Sequence, residues 1–271
     1  MAKRSAVELD SLLQFARELA LEAGALIAEG RRSVFATSTK STMNDLVTDV
    51  DRASEALLVS RIRAARPHDA ILGEEGASHG GISGVRWVID PLDGTTNFIY
   101  GYPSYAVSIG VEVDGDRVVG VVHNEAIGET FWAAAGLGAF LDGRRIAVSD
   151  KKDLPTALIG GGFGNDSVHR TAQAVVLARV LDQVSDLRRG GSAALDLCAV
   201  AAGRLDAFFE LRLAPWDYAA ADVIIREAGG VTCSLDGGQL GSDATVLAAA
   251  PGLLEALRTL LLESGAAAVA G

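Results

Sequence analysis

Two aspartates and two threonines close together in the first half of the chain have the residue types of a metal-dependent catalytic turn. The segment Asp90-Pro-Leu-Asp93-Gly-Thr95-Thr-Asn97 directly follows the apolar run Arg86-Trp-Val-Ile89, which is typical of the end of a buried strand. Mg²⁺ prefers oxygen ligands in near-octahedral geometry and usually keeps waters and a substrate phosphate in its shell. Pro91 fixes φ and Gly94 permits a sharp turn, so the two carboxylates could converge on such a cation. An Asp-rich surface turn is the alternative interpretation.

Acidic residues also stand at the predicted ends of other elements. Surface caps and solvated faces account for most acidic residues of a protein, and Asp217 could be a plain helix N-cap. Taken singly, each acidic segment therefore has an ordinary structural explanation. The acidic segments are Lys40…Asp45…Asp49…Asp51, Glu74-Glu75, Asp90/Asp93 and Trp216-Asp217.

The elements that must position these residues follow an α+β pattern in the first half of the chain. Apolar residues recur at helical spacing from Val7 to about Glu29, and Gly30 is expected to end that helix. A second helix is predicted from a Thr48 cap to the residue before Pro67. Further apolar runs predict a strand over 71–73, a hairpin of 106–113 and 117–123, a strand over 130–134 and a turn at 142–143.

Strands and helices alternate beyond about Ser149. Strands are predicted over 157–160, 205–210 and 246–249, and helices over 169–184, 192–202, 219–228 and 253–263. The loop Gly160-Gly-Gly-Phe-Gly164 lacks the lysine and the spacing of a nucleotide-binding P-loop. We interpret it as a flexible turn near a site.

The composition is that of an ordinary globular protein with an acidic balance. The 271 residues are 49% hydrophobic and 22% charged, with a net charge of −11, so neither a nucleic-acid backbone nor an anionic membrane surface is expected as principal partner. An acidic protein that handles phosphate would need bound cations to bring the anion in. Charges in the segment Met1-Ala-Lys-Arg-Ser stand where a signal peptide needs an apolar core, and the expected location is the cytoplasm.

The cysteines and histidines are not expected to carry chemistry. Cys198 and Cys233 are far apart among small or apolar residues, which predicts buried free thiols instead of a disulfide or zinc site. The histidines, which lie outside the motifs and are interpreted as non-catalytic, are His68, His79, His123 and His169.

Several long segments, in order along the chain, resemble the signatures of one enzyme family. They are Gly73-Glu-Glu75, Trp87-Val-Ile-Asp-Pro-Leu-Asp-Gly-Thr-Thr-Asn-Phe98 and Trp216-Asp-Tyr-Ala-Ala-Ala, with Glu227-Ala-Gly-Gly230 closing the last. These segments resemble the inositol monophosphatase family, and the similarity continues through 40–51 and 188–198. On these residues the chain is identified as a member of that family, and it is most similar to bacterial, in particular actinobacterial, inositol-1-phosphatases.

The resemblance implies a fold and a cofactor. The fold class is α+β, a layered αβαβα sandwich of the inositol monophosphatase and fructose-1,6-bisphosphatase type, and the activity is that of a phosphatase with two or three Mg²⁺ ions per site. We expect residues 1–148 to form an N-terminal subdomain with most metal ligands, and residues 149–271 to form a C-terminal subdomain with the substrate pocket, in one intimate unit. A homodimer and inhibition by Li⁺ are likewise expected from kinship.

The resemblance also implies individual roles. The expected metal ligands are Glu74, Asp90, Asp93, Asp217 and the backbone carbonyl of Leu92. The expected catalytic residues are Glu74, Asp51 and Thr95, with Thr95 and Asp51 orienting and deprotonating the attacking water. The expected substrate contacts are Asp93, Gly94, Thr95, Arg188, Gly191, Ser192, Ala193, Glu210 and Asp217, and a mobile loop beside the metals is expected to hold Lys40 and Asp45.

The substrate and two rival functions stay open. The segment 188–210 favours a small phosphorylated polyol, myo-inositol 1-phosphate, over fructose 1,6-bisphosphate, histidinol phosphate or 3′-phosphoadenosine 5′-phosphate. A haloacid-dehalogenase-type phosphatase spaces its two aspartates by two residues, whereas Asp90 and Asp93 are three apart. A regulatory protein associated with the transcription machinery is the other rival, and the complete set of expected metal ligands and the acidic charge both weigh against it.

Overall fold

The computed structural model describes residues 6–33, 36–39, 46–164, 167–241 and 244–270. The α-helices in these ranges are α1 (Ala6–Arg32), α2 (Asp49–Ala65), α3 (Thr95–Tyr100), α4 (Ser167–Leu181), α5 (Ala193–Ala201), α6 (Pro215–Glu227), α7 (Leu254–Glu263) and α8 (Ala267–Ala270). None of the helices in the described residues is long and apolar enough to cross a membrane.

An eight-stranded sheet dominates the first half of the chain. Its strands are β3 (Ala70–Gly73), β4 (Ser78–His79), β5 (Val85–Asp93), β6 (Ala106–Val113), β7 (Asp116–Asn124), β8 (Glu129–Ala134), β9 (Gly138–Leu141) and β10 (Arg144–Arg145). They lie in the order β10-β9-β8-β7-β6-β5-β3-β4, and the pairs are antiparallel except for the parallel pair of β3 and β5. A two-stranded ribbon of β1 (Thr37–Thr39) and β2 (Leu46–Thr48) precedes this sheet.

A mixed five-stranded sheet belongs to the second half. Its strands are β11 (Leu158–Gly161), β12 (Asp186–Arg188), β13 (Ala207–Leu213), β14 (Val231–Ser234) and β15 (Ala244–Ala249). The order is β12-β11-β13-β15-β14, with β11 parallel to both neighbours and the remaining pairs antiparallel.

Three hydrophobic clusters join the elements into five layers. Apolar side chains of α1 and α2 pack on one face of the first sheet, and those of α5 and α6 fill the space between the two sheets. The outer face of the second sheet is covered by α4 and α7. This αβαβα sandwich confirms the expected fold. Helices α5 and α6 belong to a core shared by both sheets. The expected division of the chain into two subdomains at residue 148 stays a prediction.

The predicted helix over 48–66 is confirmed, and so are the predicted hairpin and the thiols. The Thr48 hydroxyl accepts hydrogen bonds from two backbone N–H groups of α2, while the Asp51 carboxylate accepts one from the Thr48 N–H, which is a reciprocal capping box. Strands β6 and β7 pair in antiparallel fashion through the turn at residues 114 and 115. Both cysteines are buried and free.

Three predicted helix boundaries are wrong. Helix α4 ends at Leu181 instead of residue 184, and the other two boundaries are in α1 and α6. Helix α1 passes through Gly30 and ends at Arg32. A Cβ on Gly30 would lie 2.6 Å from a methyl group of Val50. The glycine therefore allows α2 to pack closely against α1 and does not end the helix. Helix α6 begins at Pro215, four residues before the predicted Ala219, since proline is favoured at the first helical position.

Candidate active site

Strand β5 continues through the aspartate segment, so the predicted strand end at Ile89 is wrong. Its pairing with β6 leaves two residues, Pro91 and Leu92, opposite a single residue of the partner strand. In a regular strand, positions three apart point to opposite faces, whereas this β-bulge lets Asp90 and Asp93 line the same cavity. The bulge thus explains how a spacing of three residues produces a pair of converging carboxylates.

Local hydrogen bonds hold the bulge and the turn that follows it. The Ser54 hydroxyl of α2 donates to the Pro91 carbonyl at 2.9 Å, and the Leu92 N–H donates to Asp90 at 3.0 Å. Gly94 then turns the chain into α3 with a φ of 85°, a region that favours glycine. A Cβ there would also lie 2.8 Å from the Ser104 carbonyl oxygen.

A pair of threonines and a buried carboxylate form a hydrogen-bonded chain behind this turn. The Thr95 hydroxyl donates to Asp51 at 2.8 Å, and the Leu92 carbonyl oxygen lies 3.1 Å from the same hydroxyl. The other carboxylate oxygen of Asp51 accepts from the Thr48 hydroxyl at 2.5 Å and from the Thr48 N–H at 2.8 Å. Burial raises the pKa of Asp51 although the threonine hydrogen bonds oppose the shift, which strengthens it as a base.

Strand register places Glu74 beside the aspartates. Because Gly73 pairs with Ile89 in the parallel ladder, Glu74, the first residue after β3, lies beside Asp90, the next residue of β5. Glu74 and Asp90 share a side-chain hydrogen bond.

The turn that carries Glu74 is held by a glutamate that sequence reasoning missed. The buried Glu55 carboxylate of α2 accepts the N–H of Glu75 at 2.8 Å and the N–H of Ala77 at 3.1 Å. Gly73 makes room for it, since a Cβ there would lie 2.3 Å from the Glu55 carboxylate. Its spacing of four residues from Asp51, on one face of a predicted helix, was the available signal.

Asp217 reaches the same cavity from the first turn of α6. Its carboxylate accepts a hydrogen bond from the Ala214 N–H at 2.7 Å. The N-cap of α6 is Ala214 and Asp217 lies at the third helical position, so the interpretation of Asp217 as a plain N-cap is wrong. Glu74, Asp90, Asp93 and Asp217, together with Thr95, define what we call the carboxylate wall of the cavity.

The carboxylate wall has an electrostatic conflict that a cation would resolve. Burial and the neighbouring carboxylates, Glu74 foremost, raise the pKa of Asp90 and of Asp217 well above their ordinary value, and burial raises that of Asp93 to about 6. In the described residues no group of three or more His, Cys, Asp or Glu side chains is already arranged to hold a metal ion. The donor set nevertheless fits a hard cation, because it is made of oxygen atoms with concentrated negative charge.

The second wall of the cavity comes from the other half of the chain. The cavity has a volume of about 260 Å³, and Gly191, Ser192 and Ala193 line it at the start of α5. The Ser192 hydroxyl donates to Asp93 at 2.5 Å, and the Ala194 N–H donates to the same oxygen at 2.8 Å. These bonds join the two walls. The second wall consists of Gly162, Phe163, Gly164, Arg189, Gly191, Ser192, Ala193, Asp196, Glu210, Leu211, Arg212 and Leu213.

Two side chains clamp the loop that precedes α5, and sequence reasoning assigned a role to neither. The Asn97 amide donates to the Gly190 carbonyl at 2.8 Å, and Asp196 accepts the Gly190 N–H at 2.9 Å. Gly191 has a φ of 86°, and a Cβ there would lie 2.8 Å from the Asn97 amide nitrogen. The clamp therefore sets the position of Ser192 against Asp93. Asn97 lies in the recognised motif, but nothing in its spacing indicates a partner 93 residues away.

The sequence of this chain matches the profile of the inositol monophosphatase family over residues 8–266. The chain belongs to the inositol monophosphatase family. This membership confirms the expected enzyme class, because the family consists of phosphoric monoester hydrolases that act on small phosphorylated substrates and are generally metal-dependent.

Relatives and solved structures of this family cover most of the chain. The inositol-1-monophosphatase of Mycobacterium leprae is 44% identical over 266 residues, or 91% of each chain. A protein of Pasteurella multocida named Nus factor SuhB is 44% identical and covers 85% of this chain and 87% of its own. The crystal structure of the extragenic suppressor protein suhB from Bartonella henselae has a TM-score of 0.88 at 35% identity, covering 93% of this chain and 98% of its own.

Within the inositol monophosphatase fold of this chain, one expected substrate residue lies away from the cavity. Arg188 is exposed and its guanidinium pairs with Asp186 at 2.6 Å, whereas its neighbour Arg189 lines the second wall. The Arg189 guanidinium lies 5.4 Å from the centre of the Phe163 ring. The structure therefore brings Arg189, not Arg188, to the site, because β12 ends at Arg188.

Of the remaining expected site residues, Glu210 lies in the described part of the chain, whereas Lys40 and Asp45 do not. Glu210 lines the cavity, and burial raises its pKa to about 8 although the nearby Arg189 opposes the shift. Lys40 and Asp45 lie outside the described residues. His123 is buried and bonded to Thr130 and Glu125, each at 2.9 Å; the non-catalytic interpretation of the histidines stays a prediction.

Proposed function

We propose that this chain is a Mg²⁺-dependent phosphomonoesterase that hydrolyses myo-inositol 1-phosphate to myo-inositol and phosphate. One observation carries the proposal: the Thr95 hydroxyl, on the carboxylate wall, donates a hydrogen bond of 2.8 Å to the buried Asp51. A proton acceptor thus lies directly behind a cluster of acidic side chains suited to cations. That combination supports attack by water, without a covalent phosphoenzyme.

The carboxylates Glu74, Asp90, Asp93 and Asp217 and the Leu92 carbonyl would hold Mg²⁺. Bound there, Mg²⁺ would lower the pKa of a coordinated water, neutralise the phosphate and stabilise the leaving alkoxide. The mutual repulsion that raises the pKa of these aspartates supports a role as cation ligands, because their ionised forms need a counter-charge.

Thr95 and Asp51 would move the proton of the attacking water. Since the Thr95 hydroxyl donates its single hydrogen to Asp51, its lone pairs can accept a hydrogen bond from the water. As the water attacks phosphorus, its proton passes to the Thr95 oxygen and the Thr95 proton passes to Asp51. The Thr48 hydrogen bonds hold the Asp51 carboxylate in the orientation this transfer requires.

The second wall would orient the polyol. Backbone N–H groups of Gly94 and Thr95 are expected to contact the phosphate, and the Glu210 carboxyl to accept a hydrogen bond from a ring hydroxyl. Gly191, Ser192 and Ala193 are expected to contact the ring. The relatives named inositol-1-monophosphatase support this choice of substrate.

Steady-state kinetics on four substrates tests the proposal. We expect kcat/KM for myo-inositol 1-phosphate to exceed those for fructose 1,6-bisphosphate, histidinol phosphate and 3′-phosphoadenosine 5′-phosphate, and all activity to vanish in EDTA and return with Mg²⁺. A tenfold lead of another substrate corresponds to about 1.4 kcal/mol in transition-state binding and would overturn the choice of substrate.

A regulatory role is the second candidate, and the relatives named Nus factor SuhB favour it. A purely regulatory protein would not depend on the carboxylate wall. Binding of RNA polymerase by the wild type and by the D93N variant, measured by surface plasmon resonance, separates the two functions. Phosphatase activity that is absent from the wild type, together with equal polymerase binding by both proteins, would establish the regulatory alternative.

A homodimer in the cytoplasm and inhibition by Li⁺ complete the proposal. Kinship within the family supports both the assembly and the inhibition, and the net charge of −11 supports a protein without direct contact to nucleic acid. Sedimentation equilibrium tests the dimer, and a Li⁺ titration of the Mg²⁺-activated enzyme tests the inhibition.

A further inference from the structure

Gln173 is a polar residue on the buried face of α4. It lies three, four and seven residues before Val176, Leu177 and Val180, which pack in the outer core below the second sheet. Residues at this spacing share one face of a helix, and Gln173 is accordingly only 4% exposed. An apolar residue is the usual choice at such a position.

The amide of Gln173 has one partner and one unpaired group. Its Oε1 accepts a hydrogen bond from the Gly164 N–H at 3.0 Å. Its Nε2 is buried and has no hydrogen-bond partner among the described residues. Since a buried donor without a partner destabilises a protein, packing does not account for a glutamine here. A methionine would fill a similar volume without an unpaired donor.

The oxygen of Gln173 holds what we call the glycine segment, residues 162–164. The ladder between β11 and β13 ends with the pair of Gly161 and Phe209, so the segment continues beyond the sheet. Its far end is Gly164, the residue whose N–H Gln173 accepts. Gln173 therefore ties this segment to α4.

The glycine segment separates two cavities. Gly162 and Phe163 line the substrate cavity on one side and, on the other, a cavity of about 10 Å³ that Gln173 also lines. This smaller cavity has room for about one water molecule. On the substrate side, a Cβ on Gly162 would lie 2.1 Å from the Glu210 carboxyl group, and the Arg189 guanidinium stacks on Phe163. A shift of the segment towards α4 would therefore widen the substrate cavity beside Glu210.

We propose that Gln173 is a positioning residue that holds the glycine segment against Glu210 and so gives the second wall the shape that binds the polyol ring. Gln173 acts through the segment, because it lies behind it on α4. This role rests on the proposed function, which places the ring at the second wall and the phosphate at the carboxylate wall. Loss of the Gln173 oxygen should weaken binding of the ring and leave binding of phosphate unchanged.

Calorimetry with two ligands in Mg²⁺ tests this role. The ligands are inorganic phosphate and the methylene phosphonate analogue of myo-inositol 1-phosphate, and the ratio of their Kd values measures what the ring adds. We expect the wild type to bind the analogue about tenfold more tightly than phosphate. Gln173→Met should lower this ratio about fivefold, the size of one hydrogen bond, without a change in the Kd of phosphate.

Gln173→Glu should restore the ratio. A carboxyl group offers an acceptor oxygen to the Gly164 N–H in either protonation state. Hydrogen exchange of the Gly164 N–H, followed by NMR, reports the same contact without any ligand. We expect this exchange to be about tenfold faster in Gln173→Met than in the wild type and in Gln173→Glu.

Two controls exclude a general loss of structure. Gln173→Met removes the unpaired donor, so its Tm should lie within about 2 °C of the wild type. Gln183→Met changes an exposed glutamine that donates to Asp182 just after α4, and it should keep both the ratio and the exchange rate. A wild type without preference for the analogue, or a Gln173→Met variant that keeps the ratio, would overturn the role of Gln173. Equal losses of affinity for phosphate and for the analogue would overturn it as well.

The outcome also separates this role from the proposed function. Turnover of myo-inositol 1-phosphate by the wild type is measured in parallel and does not enter the ratio of Kd values. Absence of turnover would refute the proposed function whatever the ratio. Normal turnover with an unchanged ratio in Gln173→Met would refute the role of Gln173 alone.

Discussion

The two walls of the cavity are assembled in different ways. Most of the carboxylate wall comes from one continuous segment, Asp90–Thr95, and from Glu74 at the end of the adjacent strand. The second wall combines Gly162–Gly164, Arg189–Asp196 and Glu210–Leu213, which belong to separate elements. Strand register fixes the first wall locally, whereas the second depends on how α5 and the five-stranded sheet pack. We therefore expect the first wall to govern the chemical step and the second to govern the choice of substrate.

The largest effect is expected from Asp93→Asn in the carboxylate wall. The substitution removes a cation ligand and weakens the hydrogen bonds that Asp93 accepts from Ser192 and Ala194. We expect kcat/KM to fall by about 10³-fold or more, in the range found when a key electrostatic group is lost. Phosphate release at saturating Mg²⁺ measures the effect.

The matched control for Asp93→Asn is Asp116→Asn, which changes an exposed carboxylate on β7. We expect the control to keep full activity. The metal-free Asp93→Asn variant should melt no lower than the metal-free wild type, because the substitution removes a buried charge from a repulsive cluster. Undiminished turnover of a folded Asp93→Asn protein would refute the site.

The contrast between the walls also explains what the sequence could and could not predict. The Thr48 cap and the Asp90/Asp93 pair are local patterns. The cap is confirmed, and both aspartates line one cavity, although they lie within β5 and not on a turn after it. The β-bulge at Pro91 was not predictable, because it depends on pairing with β6. Arg189 and Arg188 are adjacent, and only the point where β12 leaves the sheet decides which of them faces the cavity.

A smaller and more selective effect is expected from Glu210→Gln in the second wall. Glu210 lies against Gly162, where a Cβ would come within 2.1 Å of its carboxyl group, so its position is fixed. We expect kcat/KM for myo-inositol 1-phosphate, measured at about pH 9 where Glu210 with its pKa of about 8 is ionised, to fall about tenfold, the size of one hydrogen bond to a charged group. Turnover of p-nitrophenyl phosphate, which has no ring hydroxyl, should change less than twofold. Equal losses on both substrates would assign Glu210 to the chemical step and remove the distinction between the walls.

Glu55→Gln tests whether the carboxylate wall depends on support from α2. The Glu75 and Ala77 N–H groups bind different oxygens of Glu55, and in glutamine one of these oxygens is replaced by an NH₂ group, so one N–H group loses its acceptor. We expect the Mg²⁺ concentration for half-maximal activity to rise about tenfold, as is typical when a residue that orients a metal ligand is lost. The exposed Glu29, paired with Arg32 on α1, supplies the control Glu29→Gln. An unchanged Mg²⁺ requirement would show that the Glu74 turn holds its shape without Glu55.

The smallest expected effect is that of pH on the thermal stability of the metal-free protein. Its sign should be opposite to that of ordinary acid denaturation, in which stability falls as the pH is lowered. Burial raises the pKa of Asp196 to about 7 and that of Glu210 to about 8, from ordinary values of 3.8 and 4.5. Groups whose folded-state pKa is raised bind more protons in the folded protein, so their contribution to the free energy of unfolding is largest at low pH. The contribution is lost as the pH rises through the folded-state pKa values, between about pH 5 and 8. We therefore expect the Tm of the EDTA-treated protein to fall across this window, by about 2–4 °C for each kcal/mol lost.

The double variant Asp196→Asn, Glu210→Gln should flatten the dependence by removing both titrating groups of the second wall. The part that persists would belong to the aspartates of the carboxylate wall, and saturating Mg²⁺ should suppress it because a bound cation favours their ionised forms. A Tm that rises from pH 5 to 8 in EDTA would contradict the buried, uncompensated state of both walls.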